Sequence, residues 1–184
     1  MSESAGIIRT ARLQLVPASL DLLDGELAGH AEFGRRLGAA VPADWPPELY
    51  DRQATEYTIK TLRDNPGSAG WWLYYIVLPG ANGGMAIGTC GYKGPPADGC
   101  VEIGYGVLTA YRRRGIATEA SLGLIDRAFA DPGVRLVVAE TLPELTASIG
   151  VMTKCGFEYC GDGSEPGVIR YELARARYTR LHGN

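Results

Sequence analysis

The chain has 184 residues, 46% of them hydrophobic and 21% charged, with a formal net charge of −3. Those values predict one globular domain rather than a disordered chain; it is expected over 1–184, and the order of elements below puts its core at about 8–174. The slight acidity argues against general binding to nucleic acid or anionic membranes, and the longest apolar run, eight residues, is far short of the roughly 20 of a membrane span.

MSESAGIIRT lacks the basic and apolar stretches of a signal peptide, so a cytoplasmic protein is expected. TARLQLVPAS (10–19) reads as a first strand with Leu13 and Leu15 on one face. Ser19 suits a helix cap, followed by Leu20, Leu23, Leu27 and Ala31 at helical spacing. Pro46 and Pro47 mark the start of a second helix, with Tyr50, Ala54, Tyr57 and Thr61 along one face and a stop at Asn65-Pro66-Gly67. WWLYYIVL (71–78) and GMAIGTCGY (84–92) read as strands joined by PGANGG. No helix follows that glycine-rich turn, so it reads as a hairpin loop and not a phosphate loop. Trp45, Trp71, Trp72, Tyr74 and Tyr75 are read mainly as core, with an aromatic acceptor cleft as the alternative.

CVEIGYGVL (100–108) reads as a strand, and IATEASLGLIDRAFA (116–130) as a helix. VRLVVAE (134–140) has the continuous apolar character of a strand covered on both faces. A helix at about 144–155 and the strands GFEYCG and VIRYEL complete an α+β, mixed α/β pattern. The tail, 175–184, is expected to be solvated and frayed. Cys90, Cys100, Cys155 and Cys160 form no CxxC pair, and His30 and His182 add no metal spacing. Four reduced thiols and no metal are expected.

The chemistry concentrates at 101–118. In VEIGYGV, Val101, Ile103, Tyr105 and Val107 share one face; Glu102, Gly104 and Gly106 share the other. Two glycines on one face weaken a strand unless something lies close to its backbone. The next turn, YRRRGIATEA, opens a helix. Unpartnered amides and the positive end of the helix dipole make such a turn an anion site. Gly115 and Ala117 leave room there, and Arg112, Arg113 and Arg114 add charge that a diphosphate could use. The turn lacks the glycines of a Walker or dinucleotide loop. An exposed charged turn is the competing reading, as a solvated strand carboxylate is for Glu102.

The stretch Arg112-Arg113-Arg114-Gly115-Ile116-Ala117 resembles the Q/R-x-x-G-x-G/A turn of the GNAT superfamily of N-acetyltransferases. EIGYGVLTAYRRRGIATEA resembles its Rim-type branch, which includes ribosomal-protein-alanine N-acetyltransferases. TLPELTASIGVMTKCGF (141–157) is similar to that branch's N-x-x-S segment leading to K-x-G-F, and TARLQLVP to its first strand. The resemblance implies a central mixed, mostly antiparallel sheet of six to seven strands, splayed into a V and flanked by helices. It implies acetyl-CoA in the V, with no metal. The pyrophosphate would lie on the amides of Arg112, Arg113, Arg114, Gly115, Ile116, Ala117 and Thr118, and the pantetheine along 101–108, near Val107. Ser148 would contact the cofactor and protonate the leaving thiolate. Leu145 stands where the family commonly has asparagine, and Gly150 where it commonly has arginine.

The implied reaction is direct attack of a primary amine, on a small molecule or a protein N-terminus, on the thioester. Glu102 is the candidate base through water, with Gly104 on the acceptor side; Tyr105 shares a face with apolar residues and is read as core first and acceptor-pocket wall second. Amides near Val107 are candidate oxyanion donors. Glu119 is read as a structural hydrogen-bond partner. The alternative is a non-catalytic or weakly active acyl-CoA-binding relative, motivated by Leu145; no nucleic-acid or membrane partner is expected, and the chain is expected to be a monomer or homodimer.

Overall fold

The computed structural model describes residues 6–183. The hairpin β1 (Ile8–Arg9) and β2 (Gln14–Pro17) leads into helices α1 (Leu20–Ala28), α2 (His30–Leu37) and α3 (Arg52–Asp64). Strands β3 (Leu73–Leu78), β4 (Met85–Tyr92) and β5 (Cys100–Val107) follow, then α4 (Ile116–Ala130), β6 (Leu136–Thr141) and α5 (Thr146–Lys154). The hairpin β7 (Glu158–Asp162) and β8 (Ile169–Ala174) and the helix α6 (Arg175–His182) complete the chain.

One eight-stranded sheet runs in the order β1-β2-β3-β4-β5-β6-β8-β7. Every neighbouring pair is antiparallel except β5 and β6. This is the expected mixed, mostly antiparallel sheet with one strand more. The stretch expected as a single strand at 10–19 begins as a tight turn, in which Thr10 N donates to Leu13 O and Leu13 N donates to Thr10 Oγ1, and so β1 folds back on β2.

Helices cover both faces. On one, α4 and α5 bury Leu124, Ile125 and Met152 against Leu15, Val101, Ile103 and Val137. On the other, α1, α2 and α3 bury Leu23, Phe33, Ile59 and Leu62 against Tyr75, Ala86 and Leu108. Tyr74 and Tyr75, consecutive and both fully buried, belong one to each core, as alternation along a strand requires. Trp45 is core too, while Trp71 and Trp72 are half-buried. All four cysteines are free thiols, and burial alone pushes Cys155 up to about 12.

Three expectations need correction. The stripe after Ser19 does not run on to Ala31, because Gly29 at φ 121° ends α1 and begins α2. The second long helix starts at Arg52, where the Asp51 side chain accepts from Ala54 N, and not at the prolines. Its buried face is Thr55, Thr58, Ile59 and Leu62, with Tyr57 exposed. Both sets of residues fit helical spacing, and the aliphatic bulk of Ile59 and Leu62 decides between them.

The tail is a helix and not a frayed end. Arg175 donates to Phe129 O, Asp131 O and Val134 O, carbonyls at and beyond the end of α4. Those carbonyls have no helical partner of their own, so one guanidinium satisfies them and anchors α6. Tyr178 packs on Phe129 with ring centroids 5.1 Å apart.

The segment 45–50 is tied down at both ends by one carboxylate. Glu26 on α1 accepts from Trp45 Nε1 at 2.8 Å, Tyr50 OH at 2.8 Å and Tyr75 OH at 2.7 Å. Glu26→Ala leaves three largely buried donors unpaired and should cost about 2–4 kcal/mol, read as a lower urea midpoint at unchanged slope.

Candidate active site

The parallel pairing of β5 with β6 covers only Cys100, Val101 and Glu102 against Leu136, Val137 and Val138. Beyond it, Ile103–Val107 pairs with β4 alone and Ala139–Thr141 with β8 alone. The two strands therefore part inside the sheet. Lys93 N donates to Glu102 O and Leu108 N to Ile87 O, so even-numbered residues of β5 direct their backbone groups at β4. Alternation then points the amides of Tyr105 and Val107 into the gap.

The glycines keep this ledge open. A Cβ at Gly104 would meet nothing within 4 Å, and one at Gly106 would meet only Pro47 and Glu48 O at 3.6 Å. The gap is thus free at Gly104 and roofed at Gly106 by the segment that Glu26 holds.

On the α4/α5 side, the Tyr105 hydroxyl reaches Ser148, 3.1 Å from its carbonyl and 3.3 Å from its Oγ. Tyr105 is therefore a prop between β5 and α5, as well as core. Burial pushes its pKa up to about 12, so it stays a neutral phenol at neutral pH. On the opposite side, Glu102 lies with Gly104 and Gly106, as the alternation predicts, and its Oε1 is ion-paired with Lys93. Glu102 and Ser148 are thus not neighbours on one face; they flank the gap from opposite sides.

Sequence reasoning missed a second carboxylate there. Glu140 stands two residues past Val138, on the face that carries Glu102, with a side chain only 3% exposed. It accepts from Ser164 N at 3.1 Å and Ser164 Oγ at 2.6 Å. Burial opposes its charge, but the Ser164 bonds together with the nearby charges of Lys93 and Arg170 hold its pKa below the ordinary carboxylate range. A lone acid ending the apolar run VRLVVAE was its only trace in the sequence.

The arginine turn has the backbone of an anion nest. Arg113 (φ 61°) and Gly115 (φ 75°) are both left-handed, and the turn is exposed. Arg112 N bonds Thr109 O and Glu119 N bonds Gly115 O; among the described residues, none accepts from the amides of 113–118. The Ile116 side chain is buried in the core, which fixes the start of α4 beneath the turn.

The side chains of Arg112 and Arg114 go to different partners. Arg112 donates Nε to Val107 O at 3.1 Å and Nη2 to Glu48 at 2.8 Å, which ties the turn to the roof over Gly106. Arg114 lies over the Tyr111 ring, 5.4 Å from its centroid. Another guanidinium, Arg12 from the β1–β2 hairpin, reaches the turn and binds Arg114 O and Glu119. Glu119 has the structural role expected of it, accepting from Thr10 Oγ1, Arg12 N and Arg12 Nε.

Residues 12–158 match the family model of the acetyltransferase (GNAT) domain. The chain belongs to the GNAT acetyltransferases. It is 27% identical over 152 residues to the uncharacterized N-acetyltransferase YjdG of Bacillus subtilis, covering 82% of this chain and 89% of YjdG. Its fold matches the microcin C7 self-immunity acetyltransferase MccE, solved with acetyl-CoA and AMP, at TM-score 0.64 and 16% identity, over 94% of this chain and 98% of MccE. It also matches RimL, the ribosomal L7/L12 alpha-N-protein acetyltransferase solved with coenzyme A, at TM-score 0.59 and 18% identity, over 92% and 98%. The GNAT match takes in β5, the turn, α4 and α5 together. Among the described residues, no helix is long and apolar enough to cross a membrane.

Leu145, the departure from the family pattern, is the N-cap of α5, makes no side-chain cap bond and is 39% exposed. Thr146 N and Ser148 N bond Glu144 O and Leu145 O, and leucine has no side-chain acceptor for Ala147 N, which has no backbone partner among the described residues. An asparagine at this position is placed to cap the helix, whatever it also does for a ligand. Leu145→Asn should therefore raise stability by about 0.5–1.5 kcal/mol, measured as a higher unfolding midpoint without ligand.

Proposed function

We propose that this acetyltransferase uses acetyl-CoA and acetylates a primary amine, on a small molecule or a protein N-terminus as in the Rim-type branch. One observation carries the reading: a strand with two amides and an open glycine ledge leads directly into a turn with six more amides, none of the eight with a partner among the described residues. That row of donors suits a ligand with an extended polar arm ending in a diphosphate. Acetyl-CoA has that form and, when bound, supplies an acetyl group as a thioester.

The residues then divide the work by face. The amides of 113–118 hold the pyrophosphate, and those of Tyr105 and Val107 bind the arm and polarise the thioester carbonyl. Ser148, oriented by Tyr105, gives a proton to the leaving sulfur. The amine approaches from the Glu102 side. An alkylamine is mostly protonated at neutral pH, so it must lose a proton before attack. Glu102 accepts it, through water. Glu140, held ionised by Ser164, attracts the incoming ammonium.

The test is free-thiol release from acetyl-CoA across a panel of amines, with mass detection of the acetylated product. Gly115→Asp puts a side chain and a negative charge where the pyrophosphate lies, and should abolish acetyl-CoA binding by calorimetry in a folded protein. Retained affinity would refute the reading of the turn.

Glu102→Gln should lower kcat at neutral pH on the order of 100-fold and remove the acid limb of its pH–rate profile. Ser148→Ala should lower kcat by about tenfold or more while cofactor affinity stays within about twofold, since a proton donor acts late on the leaving group. An unchanged profile excludes Glu102 as the base, and full turnover at rate-limiting chemistry excludes Ser148 as the acid.

A further inference from the structure

Of the consecutive cations that mark the turn in the sequence, Arg112 is committed to Val107 O and Glu48, and Arg114 lies on Tyr111. The guanidinium built into the turn comes from about a hundred residues earlier. Arg12 spends Nε on Glu119 Oε2 at 2.7 Å and one Nη1 proton on Arg114 O at 3.1 Å. Its Nη2 stands 3.4 Å from the position a Cβ would take at Gly115, and among the described residues Nη2 has no acceptor. The side chain is half exposed, so this edge opens on the same solvent as the free amides.

Two anchors fix the guanidinium, and three of its five N–H donors remain, the two on Nη2 at the rim of the nest. The geometry also answers an electrostatic problem. Glu119, in the first turn of α4, brings a negative charge to the end of the helix that should attract an anion. Arg12 neutralises that charge in the same contact that orients its free edge.

We propose that Arg12 is a ligand of the cofactor's pyrophosphate, donating from its Nη2 edge beside Gly115. The inference rests on the reading of the turn given above and adds to it a residue from the first hairpin. The β1–β2 hairpin is thereby part of the cofactor site, which gives the tight turn at Thr10–Leu13 a function: it delivers Arg12 to α4.

The test compares dephospho-CoA, coenzyme A and pantetheine by calorimetry on the full chain, with circular dichroism to confirm folding. Arg12→Gln should weaken dephospho-CoA and coenzyme A alike, by about tenfold or more, and leave pantetheine affinity unchanged. Arg12→Lys keeps the charge beside Glu119 but loses the fork. It should show a smaller loss of the same pattern, and it decides the matter where Arg12→Gln does not fold. Equal losses for pantetheine and dephospho-CoA would mean that Arg12 only shapes the fold. A loss confined to coenzyme A would move Arg12 to the 3′-phosphate, and either result overturns the proposal. If Gly115→Asp loses dephospho-CoA while both Arg12 variants retain it, the turn reading stands and only Arg12 is removed from it.

Discussion

The parting of β5 from β6 after the Glu102–Val138 pair is the constraint on which the rest of the molecule depends. Two amides inside a sheet that lack a partner are costly, and a fold retains them only where something else can accept from them. Each wall of the gap is held from outside: β5 by β4, β6 by β8. The Tyr105–Ser148 contact spans the opening on one side, and the segment pinned by Glu26 roofs its end. The opening is therefore built into the pairing scheme and does not depend on a flexible loop.

Charge around the opening is organised locally and owes little to the net value. Arg112 pairs with Glu48, Lys93 with Glu102, Arg12 with Glu119, and Glu140 is held by Ser164 and Arg170. Apart from Lys93 and Glu102, which face each other across the β4–β5 hairpin, these pairs join segments distant in sequence, and most of them lie at the boundary between a strand end and a neighbouring loop. Exposed pairs of this kind contribute little stability. Their consequence here is positional: they fix where a carboxylate or a guanidinium edge is presented, on which side of the sheet.

Two faces with different chemistry follow from strand alternation alone. Odd residues of β5 meet the apolar core under α4 and α5, and the same side carries the hydroxyls of Tyr105 and Ser148. Even residues carry glycine and glutamate toward the other side. A gap through the sheet lets a group bound in it be reached by hydroxyls from one side and carboxylates from the other. That division suits the proposed transfer from a thioester to an amine, which needs a proton supplied to sulfur and another removed from nitrogen.

The sequence by itself determined the elements with strong local character. The helix at 116–130 and the alternation of β5, with its two glycines and Glu102, were legible because both depend on residue type at fixed spacing. The glycine turn that opens α4 was legible for the same reason: a glycine opening a helix after a strand is a local arrangement. Tertiary structure decided what depends on long-range pairing. It chose Ile59 and Leu62 as the buried edge of α3, because periodicity allowed two faces and only the opposing core selects one. It turned the tail into α6 through Arg175, whose acceptors lie more than 40 residues away. It also separated the arginines, sending Arg112 to Glu48 and bringing Arg12 to the turn, because a side chain's partner is set by which strands stack beside it and no local pattern records that.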